Sequence, residues 1–94
     1  KDDQLYIPPD FSPDGDGIND FWEIRNIENY HKSKVIVYTK TNILIYESTD
    51  GYKTPWDGKN LRGKDMPIGK YIYEVDLHGD GKDVRIGTIS IFRD

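Results

Sequence analysis

Apolar and polar side chains alternate in short runs along most of the chain, and this alternation is typical of β-strands. The clearest run is residues 71–77, in which the aromatic and aliphatic residues take the odd positions and Glu74 and Asp76 take even ones. Runs at residues 35–38 and 43–46 are apolar at both odd and even positions. We therefore expect these two strands to be covered on both faces or to lie at the core of a sandwich.

Three further runs complete the predicted strands, at residues 5–7, 22–27 and 84–92. In the last run the apolar positions change parity after Ile86, and we interpret Gly87 as a β-bulge. No window has a 3.6-residue period with helix caps. Because so many short strands fit within 94 residues, the sequence predicts one all-β domain over the whole chain. The expected architecture is an antiparallel immunoglobulin-like β-sandwich of about seven short strands.

Composition and charge exclude several classes of protein. The formal net charge is -4, and the 13 Lys and Arg residues are scattered rather than clustered, so we expect no nucleic-acid partner. The absence of Cys excludes disulfides, thiol nucleophiles and Cys-ligated metals. The longest apolar run, residues 43–46, is far below the ~20 residues that a membrane span needs. We therefore expect a domain that does not span a membrane.

The acidic stretch FSPDGDGIND, residues 11–20, is the strongest candidate for a metal site. Calcium takes six to eight oxygen ligands, and aspartates at alternate positions beside glycines supply them from one segment. With Gly17 at the glycine position of the EF-hand loop template, the predicted ligand positions are Ser12, Asp14, Asp16, Ile18 (through its carbonyl), Asp20 and Glu23. Only Ser12 departs from the template.

Two other interpretations of this stretch stay open. Asp-Gly pairs are also an ordinary way to build tight turns with positive φ, and a metal other than calcium would use similar oxygens. The flanking segments are predicted strands and Pro13 lies inside the stretch, so a true EF-hand with its two helices is excluded. A second acidic stretch, residues 78–83, has fewer ligands and a central Lys, and we interpret it as a turn.

No motif of catalysis stands out. His31 and His78 lie in predicted loops, and no serine sits in a nucleophile-elbow motif. No glycine cluster is followed by the Lys-Ser or Lys-Thr of a phosphate-binding loop. Trp56, next to Asp57 and Gly58, is either a sugar-stacking residue beside a carboxylate or a plug at the end of the core, and we favour the plug. We therefore expect no enzymatic activity.

Three stretches together carry a resemblance to a known family: FSPDGDGINDFWEI, GYKTPWDGKNLRGKDMPIGKYIYEVDL and the terminal GTISIFR. They resemble the gliding motility-associated C-terminal domain of Bacteroidetes surface proteins, the type B sorting domain of type IX secretion. The likeness runs from Ile7 to Arg93, and Asp14 replaces the Asn usual in the family. The second half is also similar to the immunoglobulin-like domain of flagellar hook-capping proteins.

The resemblance implies a role in locating a larger protein rather than in catalysis. Such domains lie at the C-terminus of larger adhesins and exported enzymes, so the implied partners are N-terminal passenger domains and the outer-membrane secretion or attachment machinery. The implied location is secreted or on the cell surface, at the exterior of the outer membrane. A calcium-dependent adhesion or carbohydrate-binding module and a passive spacer are the alternatives. One departure concerns the turn at Thr39–Asn42, where the family usually has Asn-Arg-Trp-Gly, and this difference bears on sorting rather than on the fold.

Overall fold

The computed structural model describes residues 5–13, 20–49 and 51–92. Five strands form one open sheet in the order β1-β5-β4-β2-β3. Neighbouring strands are antiparallel except for β1, which runs parallel to β5. The strands are β1 (Asp10–Phe11), β2 (Lys34–Tyr38), β3 (Leu44–Ser48), β4 (Gly69–Asp76) and β5 (Val84–Ile91), with one 3-10 helix at Ile27–Asn29. The predicted all-β class is confirmed.

One face of the sheet carries the core, which follows from the strand register. Val35 pairs with Val75 and Val37 pairs with Tyr73, and directly opposed side chains share a face. Tyr71 pairs with Ile89 on the same face. The buried apolar residues, from the sheet and from the layer above it, are Phe11, Trp22, Ile24, Ile27, Val35, Val37, Ile45, Tyr52, Trp56, Tyr71, Val75, Leu77, Ile89 and Ile91.

The layer that covers this face consists of irregular segments joined by isolated bridges, where a second sheet was expected. Residues 5–7 contribute only the bridge between Tyr6 and Arg25, since Pro8 and Pro9 supply no backbone N–H to extend a ladder. Residues 22–27 do not form the predicted strand either. Asn26 has φ 66° and starts the 3-10 helix, which ends the extended conformation.

The hairpin of β2 and β3 forms with the Thr39–Asn42 turn of this chain. Asn42 N–H donates to the carbonyl of Thr39 at 2.9 Å, and Asn42 has φ 70°, a conformation that Asn tolerates. Opposite Val37 and Tyr38 the register skips Ile45. This bulge turns Ile45 into the core, where it is 2% exposed, and it accounts for the run of apolar residues at both parities.

Gly87 is not a bulge, and that prediction is wrong. The ladder between β4 and β5 is continuous, and Gly87 pairs directly with Tyr73. A Cβ atom at residue 87 would lie 2.6 Å from the Tyr73 hydroxyl oxygen, so the glycine makes room for this ring. The change of parity has another cause: Val84 and Ile86 face outward, whereas Ile89 and Ile91 face the core.

Candidate functional site

The aromatic residues that carry the sequence motifs meet in one cluster above the sheet. Trp22 and Trp56 are paired by an isolated bridge and are 0% and 1% exposed. Their ring centroids lie 6.3 Å apart at 80°, an edge-to-face arrangement that aromatic pairs favour. Phe11 packs on Trp56 at 5.3 Å, and Tyr73 packs on Trp22 at 5.3 Å. Trp56 is therefore the core plug that the sequence favoured.

Both indole N–H groups are satisfied by backbone carbonyls. Trp22 Nε1 donates to the Pro8 carbonyl at 2.8 Å, which ties the start of the chain to the core. Trp56 Nε1 donates to the Lys59 carbonyl at 2.8 Å, which ties down the loop that follows Trp56. Buried polar groups need such partners, so the two tryptophans fix the backbone around them as well as filling volume.

Tyr52 joins the two tryptophan segments through its hydroxyl group. The hydroxyl donates to the Trp22 carbonyl at 2.5 Å and accepts from the Trp56 N–H at 2.8 Å. Burial is the main cause that raises the pKa of Tyr52 far above its ordinary value of 10.0. The sequence did not single out this residue, because nothing in the pattern distinguishes it from the other tyrosines.

The loop after Trp56 is folded by its Asp and Gly residues. Asp57 Oδ1 accepts from the Lys59 N–H at 3.2 Å, an Asx turn. Gly58 has φ 84°, which favours glycine, and its carbonyl accepts from the Met66 N–H at 2.9 Å. In the Trp-Asp-Gly motif, the Trp side chain therefore fills the core, and the Asp and Gly residues form the turn. The Asp carboxylate accepts a backbone hydrogen bond within this turn.

The predicted metal loop lies largely outside the described residues. Three of its six predicted ligand positions, Asp14, Asp16 and Ile18, lie outside the described residues. Of the other three, Ser12 and Asp20 are half-buried and Glu23 is exposed. Within the ranges that the structure describes, no group of three or more His, Cys, Asp or Glu side chains is placed to hold a metal ion. Calcium at this loop therefore stays a prediction.

A groove of about 470 Å³ opens between residues 6–11 and residues 21–25. Glu23 lines it together with the exposed Phe21, and the remaining lining residues are Tyr6, Pro8, Pro9, Asp10, Phe11, Trp22 and Arg25. A second hollow, of about 610 Å³, lies next to His31 and Tyr52.

The second acidic stretch is a turn, as predicted. Asp76 accepts from the backbone N–H groups of Gly79 at 3.0 Å and Gly81 at 2.8 Å, and Gly79 and Gly81 have φ 70° and 78°. His78 is exposed and packs its ring against Tyr30 at 5.6 Å.

Comparison with known proteins identifies the family. Residues 5–91 match the CHU_C type IX secretion signal domain, and the chain therefore belongs to this family. A type IX secretion signal domain is a sorting module, and the recognition made from the sequence motifs is confirmed. No curated protein sequence matches the chain.

Among solved structures, the fold is similar to part of PorZ from Porphyromonas gingivalis, an essential bacterial surface component of the type IX secretion system. The TM-score is 0.57 at 19% sequence identity. The match covers 97% of this chain and 12% of PorZ, so the chain corresponds to a small part of that protein. In the described part of the chain, no helix is long and apolar enough to cross a membrane.

Proposed function

We propose that this chain is the non-catalytic C-terminal sorting domain of a larger exported protein. In this proposal it directs passage of its N-terminal passenger across the outer membrane and attachment at the exterior of the cell. The observation that carries the proposal is the family match over residues 5–91. Its recognised partner is the secretion or attachment machinery of the outer membrane.

The packing of the motif residues supports a signal that is read as a folded domain. Trp22, Trp56 and Tyr52 are buried and hydrogen-bonded to one another's segments. A linear peptide signal would leave such side chains exposed, because binding a short segment relies on direct contact with its side chains. The machinery is therefore expected to recognise the outer surface of the folded domain, whose shape this core maintains.

The proposal is tested by fusing the whole chain to the C-terminus of a reporter that carries an export signal. In a host that has type IX secretion, we expect the reporter on the cell surface, where added protease removes it. Trp56→Ala should lower the free energy of unfolding by about 3–5 kcal/mol and leave the reporter in the periplasm. Surface delivery by this variant, once circular dichroism shows that it is unfolded, would contradict a signal read from the fold.

We further propose that calcium, bound by the loop at residues 11–23, stabilises the domain. Support comes from the ligand pattern in the sequence and from where the two ends of the loop are fixed. Phe11 is anchored in the core at 3% exposure and Trp22 at 0%. A cation between these two anchors would close the connection between β1 and the layer above the sheet.

The carbohydrate-binding alternative has less support. A sugar-binding module stacks its ligand on exposed aromatic rings, and the two tryptophans of this chain are both buried. A calcium-dependent adhesion module would need a bound metal, so the same calcium experiment bears on it.

A further inference from the structure

The face of the sheet that points away from the core carries a band of apolar side chains. Ile36, Tyr38 and Ile72 are half-buried on this outer face, placed there by a register that alternates with the core residues. The band continues to both sides, with Leu44 on β3 and with Val84 and Ile86 on β5, which are 39%, 37% and 64% exposed. A solvated sheet face normally carries polar residues at these positions.

Two carboxylates lie within this band. The register aligns Glu47, Ile36, Glu74 and Ile86 in one row across four strands. Glu47 and Glu74 flank β2, and strands two apart are separated by about 10 Å. The Tyr38 hydroxyl donates to Glu74 at 2.8 Å, which orients that carboxylate on the face.

The cations of this face do not neutralise that row. Lys34 is directly opposite Asp76 in the neighbouring row and diagonal to Glu47 and Glu74, so this one Lys lies beside three carboxylates. Lys70 lies at the far end of β4, opposite Ser90. The row of Glu47 and Glu74 therefore presents negative charge inside an apolar surface, which complements a partner that is apolar and basic.

The size of the face favours a transient partner over a second copy of the chain. Four strands at about 4.8 Å spacing, each five to eight residues long, give an area on the order of 250–500 Å². A stable dimer buries about 800 Å² on each partner. Two copies placed face to face would also bring two acidic rows into one interface.

We propose that this outer face, defined by Ile36, Leu44, Ile72, Glu74 and Ile86 together with Glu47, is the surface on which the secretion machinery docks. The partner that fits is a protein surface with a flat apolar strip and two Lys or Arg side chains about 10 Å apart, matching the strand spacing. The inference rests on the proposed sorting function and specifies which part of the domain is read.

Ile86 offers a test with a matched control, because Leu61 in the loop after Trp56 is equally exposed at 64%. The variants are Ile86→Lys, Ile86→Glu, Leu61→Lys and Leu61→Glu, each in the reporter fusion. A like charge facing the partner costs several kcal/mol, so Ile86→Lys should lower surface delivery about tenfold or more. Ile86→Glu should retain clearly more delivery, and both Leu61 variants should stay within about twofold of the parent.

Thermal melts of the purified chains accompany the assay. Ile86→Glu should melt lower than Ile86→Lys, because position 86 lies directly opposite Glu74 and like charges in that position repel each other. The expected loss of delivery in Ile86→Lys is therefore not explained by stability, and the two Leu61 variants should melt alike. Equal loss with Lys and Glu at position 86, or loss in the Leu61 variants as well, overturns the assignment. So does a change from dimer to monomer that tracks the loss, since it would make a second copy the occupant. Normal delivery of Ile86→Lys overturns the docking surface while leaving the sorting function intact. Failure of the unsubstituted fusion overturns both.

Discussion

The Tyr52 hydroxyl group holds two distant segments of the core together. Tyr52→Phe removes one oxygen and leaves the Trp22 carbonyl and the Trp56 N–H without this partner. At neutral pH we expect the free energy of unfolding to fall by about 2 kcal/mol or more, the cost of leaving buried polar groups unsatisfied. Denaturant unfolding measures this, with Tyr6→Phe as the control because Tyr6 is 52% exposed.

The same pair of chains gives a prediction with a defined sign at high pH. Burial raises the pKa of Tyr52 above 10.0, so above pH 10 the unfolded chain releases a proton that the folded chain keeps. This stabilisation is complete below pH 10 and is lost as the pH rises further, by about 1.4 kcal/mol per pH unit. The stability gap between the parent and Tyr52→Phe should therefore narrow above pH 10. A gap that stays constant would contradict the buried hydroxyl.

The proposed calcium binding can also be tested at single residues. A ligand that binds only the folded chain adds about 2.7 kcal/mol at a hundredfold excess over Kd, a rise in Tm of roughly ten degrees or more for a domain of this size. We expect that rise when calcium replaces a chelator, and its loss in the double variant of Asp14→Ala and Asp16→Ala. The control is Asp80→Ala with Asp83→Ala, in the turn between β4 and β5, which should keep the rise. An unchanged Tm in millimolar calcium would make the loop a turn.

The residues of the site differ in how far the sequence could reveal them. Trp56 was predictable as a plug, because an aromatic followed by Asp-Gly suits the end of a core that then turns. Tyr52 was not, because its role depends on Trp22, which is thirty residues away in the chain. Hydrogen bonds between distant segments leave no local pattern.

At the scale of the elements, Gly87 controls how closely β5 lies against the ring of Tyr73. Gly87→Ala would place its Cβ 2.8 Å from the ring carbon that bears the hydroxyl, so we expect a loss of about 1–3 kcal/mol from overpacking. Chemical denaturation of a double-mutant cycle with Tyr73→Leu isolates the cause, because the smaller side chain vacates the space. If Gly87→Ala lowers the free energy of unfolding equally in the parent and in Tyr73→Leu, the contact with the Tyr73 ring is not the cause of the loss.

The strands were predictable to the extent that their periodicity is local. The run at residues 71–77 became most of β4, and the hairpin of β2 and β3 formed where expected. β1 escaped prediction because two residues carry no period, and its parallel pairing with β5 is set by the far end of the chain. The prediction of a strand at residues 22–27 was wrong because the alternation there reflects which side chains are buried, not pairing in a ladder. Asn26, with its positive φ, also ends the extended conformation.

In the molecule as a whole, the two faces of the sheet have different roles. The core face holds the aromatic cluster that gives the domain its shape, and the outer face keeps apolar side chains and a row of carboxylates in solvent. A family that serves as a secretion signal needs a surface that can be recognised again on many passengers. A rigid sheet held by a buried aromatic core provides such a surface, because the strands fix the positions of its side chains.

If the proposed function holds, these 94 residues are sufficient to sort a passenger. The most direct measurement is the fraction of a reporter fusion that protease removes from intact cells, in a host with type IX secretion and in the same host without it. We expect surface exposure only in the competent host, and none for the reporter without the domain. Equal exposure in both hosts, or retention in the periplasm of the competent host, would contradict it.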